Sequence, residues 1–135
     1  MADRAEIENV LATWALGYDD RQPELMRRCF TSDATMTLHI GDAETMGPYV
    51  GQDEVMAHFT DHHEIQTDQR RHVVTNVTLE TDEPTEARTT SVLTLLVVDD
   101  DVVRVQATGV YRDHFVLDGD RWRIRERVLR LDAHY

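Results

Sequence analysis

Lysine is absent from this chain of 135 residues; all 14 of its basic side chains are arginine. That absence excludes Schiff-base chemistry and the phosphate-binding lysine of a P-loop. Cysteine occurs once, at Cys29, so no internal disulfide can form and a reducing compartment is the simplest home. Cys29 lies in Met-Arg-Arg-Cys-Phe, a stretch of helical character, and reads as a small apolar packing residue. No apolar run approaches the length of a membrane span, and the first ten residues, MADRAEIENV, carry acids where a signal sequence would be apolar. The expectation is a cytoplasmic protein with no membrane partner. Basic residues are also outnumbered: 26 Asp and Glu against 14 Arg leave a formal charge of −12. A surface of that sign repels a phosphate backbone, which argues against a nucleic-acid partner.

What is present fits one domain spanning 1–135, long enough to bury a core without a disulfide or a metal. The chain opens with a helix. Asp3 can cap it, Glu6 stands three residues on as a capping-box partner, and Ile7, Val10, Leu11, Trp14 and Tyr18 recur at helical spacing. Asp19 and Asp20 fall at its C-terminal end, where the helix dipole is negative and carboxylates are disfavoured. That local conflict hints at a site. Pro23 starts a second helix, 31–33 read as a turn and 34–40 as a strand. Residues 41–51 read as a loop, and a third helix is expected from Gln52 to about His62. From Arg70 onward the pattern is all strand: 71–81, 87–98, 102–117 and 122–131, rich in Val, Thr and Leu. Asp99-Asp100-Asp101 and Asp118-Gly119-Asp120 are hairpin turns. Helices followed by consecutive hairpins predict an α+β fold, a curved antiparallel sheet wrapped around N-terminal helices.

Tyr18-Asp19 at the helix end, Tyr49 in Gly-Pro-Tyr-Val-Gly, His72 in Arg-His-Val-Val-Thr-Asn-Val and Arg127 on the last strand carry the chemical interest. An imidazole is a natural base near neutral pH, and a carboxylate on its second nitrogen sets the tautomer and stabilises the cation formed. Asp19 can do this for His72. A hydroxyl from Tyr18 or Tyr49 can donate to a substrate oxygen as charge develops. Such groups contribute roughly 100- to 10,000-fold in rate. With no lysine and no convincing metal cluster, the chemistry is cofactor-free proton transfer. His58 and His62 have the i, i+4 spacing of metal ligands, with His63 beside them, but no third ligand is evident and no metal is expected. They suit an exposed helix end or a pocket mouth.

Tyr18-Asp19 with Arg21, the helix start at Gly51, Arg71 to Asn76, Gly109-Val110-Tyr111 and Trp122-Arg123-Ile124 fall in an order found in a known family. The chain resembles the SnoaL-like branch of the nuclear-transport-factor-2-like superfamily, near which lie scytalone dehydratase, the hexachlorocyclohexane dehydrochlorinase and bacterial bile-acid dehydratases. The resemblance implies a cone-like fold enclosing an apolar pocket, a homo-oligomer such as a dimer or trimer, and polycyclic, steroid-like or polyketide-like substrates. It implies that Asp19 and His72 form a catalytic dyad, that Tyr18 helps bind a substrate carbonyl, and that Arg127 lines the pocket. Two departures accompany it. Trp14 stands in the region where the dehydrochlorinase has a lysine, and His114 is too near the Asp118 turn to match the second pocket histidine of scytalone dehydratase.

Each residue has a plainer reading beside the functional one. Asp19 also suits a solvated loop or the cap of the next helix, and His72 a half-buried strand position. Strict alternation puts Trp122, Ile124 and Glu126 on one face and Arg123, Arg125 and Arg127 on the other. With Trp122 inward, Arg127 then faces solvent unless a bulge intervenes. Asn76 shares a face with His72 and Val74 and is either a pocket amide or a ladder residue. A lyase or isomerase acting on a small molecule, a non-catalytic binder using the same pocket and a structural oligomerisation module are the three functional readings.

Overall fold

A computed structural model describes residues 1–133, and no helix among them is long and apolar enough to cross a membrane. Helix α1 (Arg4–Asp19) starts where the side chain of Asp3 accepts from the backbone N–H of Glu6 at 3.1 Å. The reciprocal half of the expected capping box does not form. Glu6 instead accepts from the backbone N–H of Trp122, tying the helix start to the far end of the chain. The apolar stripe of α1 buries Ile7, Leu11, Trp14 and Tyr18. Helix α2 (Pro23–Arg27) is one turn that returns the chain against α1.

Strand β1 (Phe30–Ile40) begins earlier than its alternation suggests, and β2 (Glu44–Val50) occupies what reads as a loop. Gly47 and Pro48 hide that strand. Met36 pairs with Tyr49 and Leu38 with Met46, so Gly47-Pro48 sits in a register break on a sheet edge, where a missing N–H is tolerated. Helix α3 (Gln52–Ile65) runs one turn longer than its periodicity implies. Then come β3 (Gln69–Asp82), β4 (Glu86–Asp99), β5 (Val102–Asp118) and β6 (Arg121–Leu131).

The six strands form one curved, unclosed sheet in the order β2-β1-β6-β5-β4-β3. Hairpins make every junction antiparallel except β1–β6, which is parallel. No short turn joins those two strands, so no hairpin dictates their relative direction. The fold is therefore the expected α+β wrap with one parallel seam. Alternate residues of β4 and β5, such as Leu93, Leu95, Tyr111 and Phe115, face the helices and build the core. The outer face leaves Val103 and Val105 open to solvent. Both rims of the sheet are interrupted: β3 loses register between Thr75 and Thr78 and again between Leu79 and Thr81.

Cys29 is buried, and burial pushes its thiol up to about 11, against the pull of Arg127, Arg28 and Arg123. It is an inert packing residue. Gly109 is a tighter constraint. A Cβ added there would lie 2.6 Å from the carbonyl oxygen of Arg130 and 3.2 Å from Leu131 in the paired strand. Backbone cannot yield as a side chain can, so Gly109→Ala is expected to cost about 1–3 kcal/mol, read as a lower urea midpoint at unchanged slope. An unchanged midpoint would mean β5 and β6 sit further apart than described.

Candidate functional site

Asp19 is the last residue of α1, and His72 is the fourth residue of β3. The sheet curls so that this strand passes the helix end. Asp19 Oδ1 lies 2.6 Å from His72 Nδ1, and Oδ2 accepts from the His72 backbone N–H at 2.8 Å. The backbone carbonyl of Asp19 accepts from Gln69 Nε2 at 2.9 Å, which ties the end of α1 to the start of β3. Both side chains are nearly fully buried. A carboxylate only accepts, so the proton of a neutral His72 belongs on Nδ1 and its lone pair on Nε2. Two donors on one carboxylate also explain why an acid is stable at the unfavourable end of a helix.

His72 lines a cavity of about 70 Å³ between the helices and the sheet. Trp14 packs edge-on to its ring at 5.2 Å and Tyr18 at 4.7 Å. Leu93, Leu95 and Leu131 make the sheet side apolar. Tyr18 lines the same space, but its hydroxyl donates to Gln66 Oε1 at 2.9 Å.

Arg127 also lines the cavity, although Trp122 and Ile124 are buried too. A bulge reconciles them. His114 pairs with Glu126 and Phe115 with Ile124, so Arg125 is one residue too many and the face of β6 switches after it. Arg127 is 1% exposed and Asp113 3%. Asp113 accepts from Arg127 Nε at 2.8 Å and from Nη2 at 3.1 Å, a two-point ion pair. Burial opposes the guanidinium's charge, yet the carboxylate holds its pKa above the ordinary value. The cation stacks 4.0 Å from the Tyr111 ring and 4.8 Å from that of Trp14.

Two expected site residues lie elsewhere. Asn76 is exposed, in a left-handed conformation (φ 56°) at a register break of β3. It borders an outer groove between α1 and β3 that Asp19 and His72 also border, and it does not line the cavity. Tyr49, half-buried on β2, packs on His58 at 4.7 Å in a hollow outside α3. His58 and His62 link the two spaces, since both border that hollow and line the cavity, which makes them its mouth. His63 turns away to the Tyr18 carbonyl. Among the described residues, no three His, Cys, Asp or Glu side chains gather as a metal site.

Burial, reinforced by neighbouring His62, pulls the pKa of His58 from 6.5 down to about 4. The folded state therefore keeps His58 neutral where the unfolded chain protonates it. Its contribution to stability is complete above pH 6.5 and is lost as pH falls through about 4. The fall in melting temperature from pH 7 to pH 4 is expected to shrink in His58→Gln relative to wild type. Equal falls would remove His58 from the acid response.

The model of the SnoaL-like domain family matches residues 1–128. The chain belongs to that family. Its fold is shared with solved structures of low identity. An NTF2-like protein with a cystatin-like fold from Novosphingobium aromaticivorans is 18% identical, with a TM-score of 0.81 over 96% of this chain and 81% of the other. A candidate scytalone dehydratase from the same organism is 19% identical, with a TM-score of 0.76 over 97% and 87%. A Catenulispora acidiphila protein in complex with S-DNPA is 22% identical, with a TM-score of 0.79 over 95% and 92%. No curated protein matches the chain. The SnoaL-like assignment rests on the whole-domain match; the structural likenesses speak to the fold.

Trp14 and Tyr111 are among the cavity residues that the sequence does not single out, as is Arg70. Trp14 reads as core from its helical spacing, and Tyr111 as part of a family motif. A signal for the buried ion pair does exist. Alternation from Tyr111 through Phe115 puts Asp113 on the inner face, where a carboxylate demands a cation.

Proposed function

We propose that this SnoaL-like protein is a cofactor-free lyase or isomerase acting on a small carbonyl-containing or hydroxylated apolar molecule. His72 Nε2 removes a proton from the carbon next to an activating group, and Asp19 holds the imidazole and stabilises the imidazolium. Arg127 contacts the substrate from the sheet side. The observation that carries this reading is the 2.6 Å contact between Asp19 and His72 Nδ1 at the wall of an apolar cavity. A base in a dry site, with its tautomer preset, is organised before substrate arrives. At about 70 Å³ the cavity lies well below the roughly 300 Å³ at the lower end of ligand pockets, which disfavours a steroid.

A non-catalytic binder is the alternative, and the largely apolar lining favours it. Asp19→Asn separates the two. The amide keeps the shape, but its NH2 can face the imidazole as a donor and spoil the tautomer. Turnover on a panel of cyclic ketones is expected to fall at least 100-fold while ligand affinity, read by thermal shift, stays within about threefold. Equal loss of both would assign the pair a structural role.

A further inference from the structure

Three residues that line the cavity each carry a buried polar atom with no hydrogen-bond partner among the described residues: Trp14 Nε1, Tyr111 Oη and Arg127 Nη1. They are neighbours. The Arg127 guanidinium lies over both rings, whose centroids are 6.2 Å apart. Asp113 already takes the Nε–H and one Nη2–H, so Nη1 is the guanidinium nitrogen left with no partner among the described residues. Two of the three, the indole and guanidinium N–H groups, are donors that cannot accept. Leaving such groups unmade in a dry interior costs about 1–3 kcal/mol each, more for the charged one. Ser91 and Thr89 add unpaired hydroxyls opposite Tyr111 and Asp113 on β4, but a hydroxyl accepts either sense of partner and does not discriminate.

We propose that Trp14 Nε1, Tyr111 Oη and Arg127 Nη1 form a three-donor subsite for a single substrate oxygen that carries or develops negative charge. Donor-only groups select an acceptor, and the guanidinium adds a positive charge held in place by Asp113. The subsite is close to the base: the Trp14 ring meets that of His72 at 5.2 Å. A carbonyl oxygen lies two bonds from the carbon that loses its proton, a spacing that lets one molecule meet His72 and the donors together. The inference rests on the proton-transfer reading and sharpens it. It narrows the substrate class to ketones, enones and related compounds whose deprotonation gives an enolate, and it transfers the oxyanion role from Tyr18 and Tyr49 to Trp14, Tyr111 and Arg127. Asp113 is a positioning residue, since it acts only through Arg127.

The probe is 4-nitrophenolate, a planar oxyanion of one ring, compared with nitrobenzene, its neutral near-isostere. Calorimetric titration of the wild-type chain at a pH where the phenol is ionised is expected to show the anion binding at least tenfold tighter. Tyr111→Phe keeps its ring and Trp14→Phe keeps an aromatic, though smaller, side chain; each removes one donor and is expected to cut that preference about tenfold, with far-UV circular dichroism unchanged. His72→Gln is expected to retain the preference, which excludes an imidazolium as its source. Equal binding of anion and isostere by the wild type overturns the subsite, as does its loss in His72→Gln or its survival in both donor variants. If the preference follows the donors but the wild type turns over no enolisable ketone, the subsite stands and the lyase or isomerase reading fails alone.

Discussion

Replacing His72 with glutamine is expected to lower turnover by about 100- to 10,000-fold, the range for loss of a positioned general base. The expectation follows from how little else changes. Glutamine is neutral, its side-chain amide can donate to Asp19, and the backbone N–H that holds Oδ2 is untouched. The carboxylate therefore stays paired and the helix end stays satisfied. What disappears is the Nε2 lone pair. The sensitive measurement is exchange of the α-protons of a small cyclic ketone into deuterated water, followed by proton NMR, because it reports proton abstraction before any elimination. Exchange at the wild-type rate in the variant would exclude His72 as the base.

A second large effect is thermodynamic. Asp113→Ala strands the Arg127 charge in a site that is 1% exposed. Removing one member of a buried pair typically costs about 3–5 kcal/mol, because the remaining ion has lost both water and partner. For a domain of this size that corresponds to a fall of roughly 10–20 °C in melting temperature. Removing both charges is a different experiment. Asp113→Leu combined with Arg127→Met replaces the pair with apolar side chains, and such exchanges are often neutral or better. The double variant is expected to melt well above Asp113→Ala. If the single variant melts within 2–3 °C of wild type, the ion pair is more hydrated than its burial implies.

The contrast between those two residues and the dyad shows what can be read from sequence. Asp19 stands out because it breaks a local rule, an acid at the negative end of a helix, and His72 because it opens the Arg-His-Val-Val-Thr-Asn run that carries the family resemblance. Helical spacing in α1 and the two Asp-rich turns located the major elements. The switch of face in β6 is of another kind. It depends on Arg125 being accommodated as an extra residue opposite β5, a property of two strands together that no alternation count within one of them reveals. Strand β2 is obscured by Gly47-Pro48, which reads as a turn and is instead absorbed in a register break. Asn76 likewise escapes an alternation count, because its left-handed backbone interrupts the period of β3. The donors of Trp14 and Tyr111 are harder still, because residue type reveals a hydrogen-bonding group and only coordinates reveal that nothing answers it.

The broken register of β3 has a consequence for how the molecule behaves in a crowd. A long rim strand is ordinarily a template on which a stray chain can add itself, hydrogen bond by hydrogen bond. Here the ladder is interrupted twice, Asn76 kinks within the first break, and Arg70, Arg71 and Glu80 put charge along the strand. An incoming segment would find only short stretches of matching amides before it lost step. The rim strand is therefore a poor template for the addition of a stray chain.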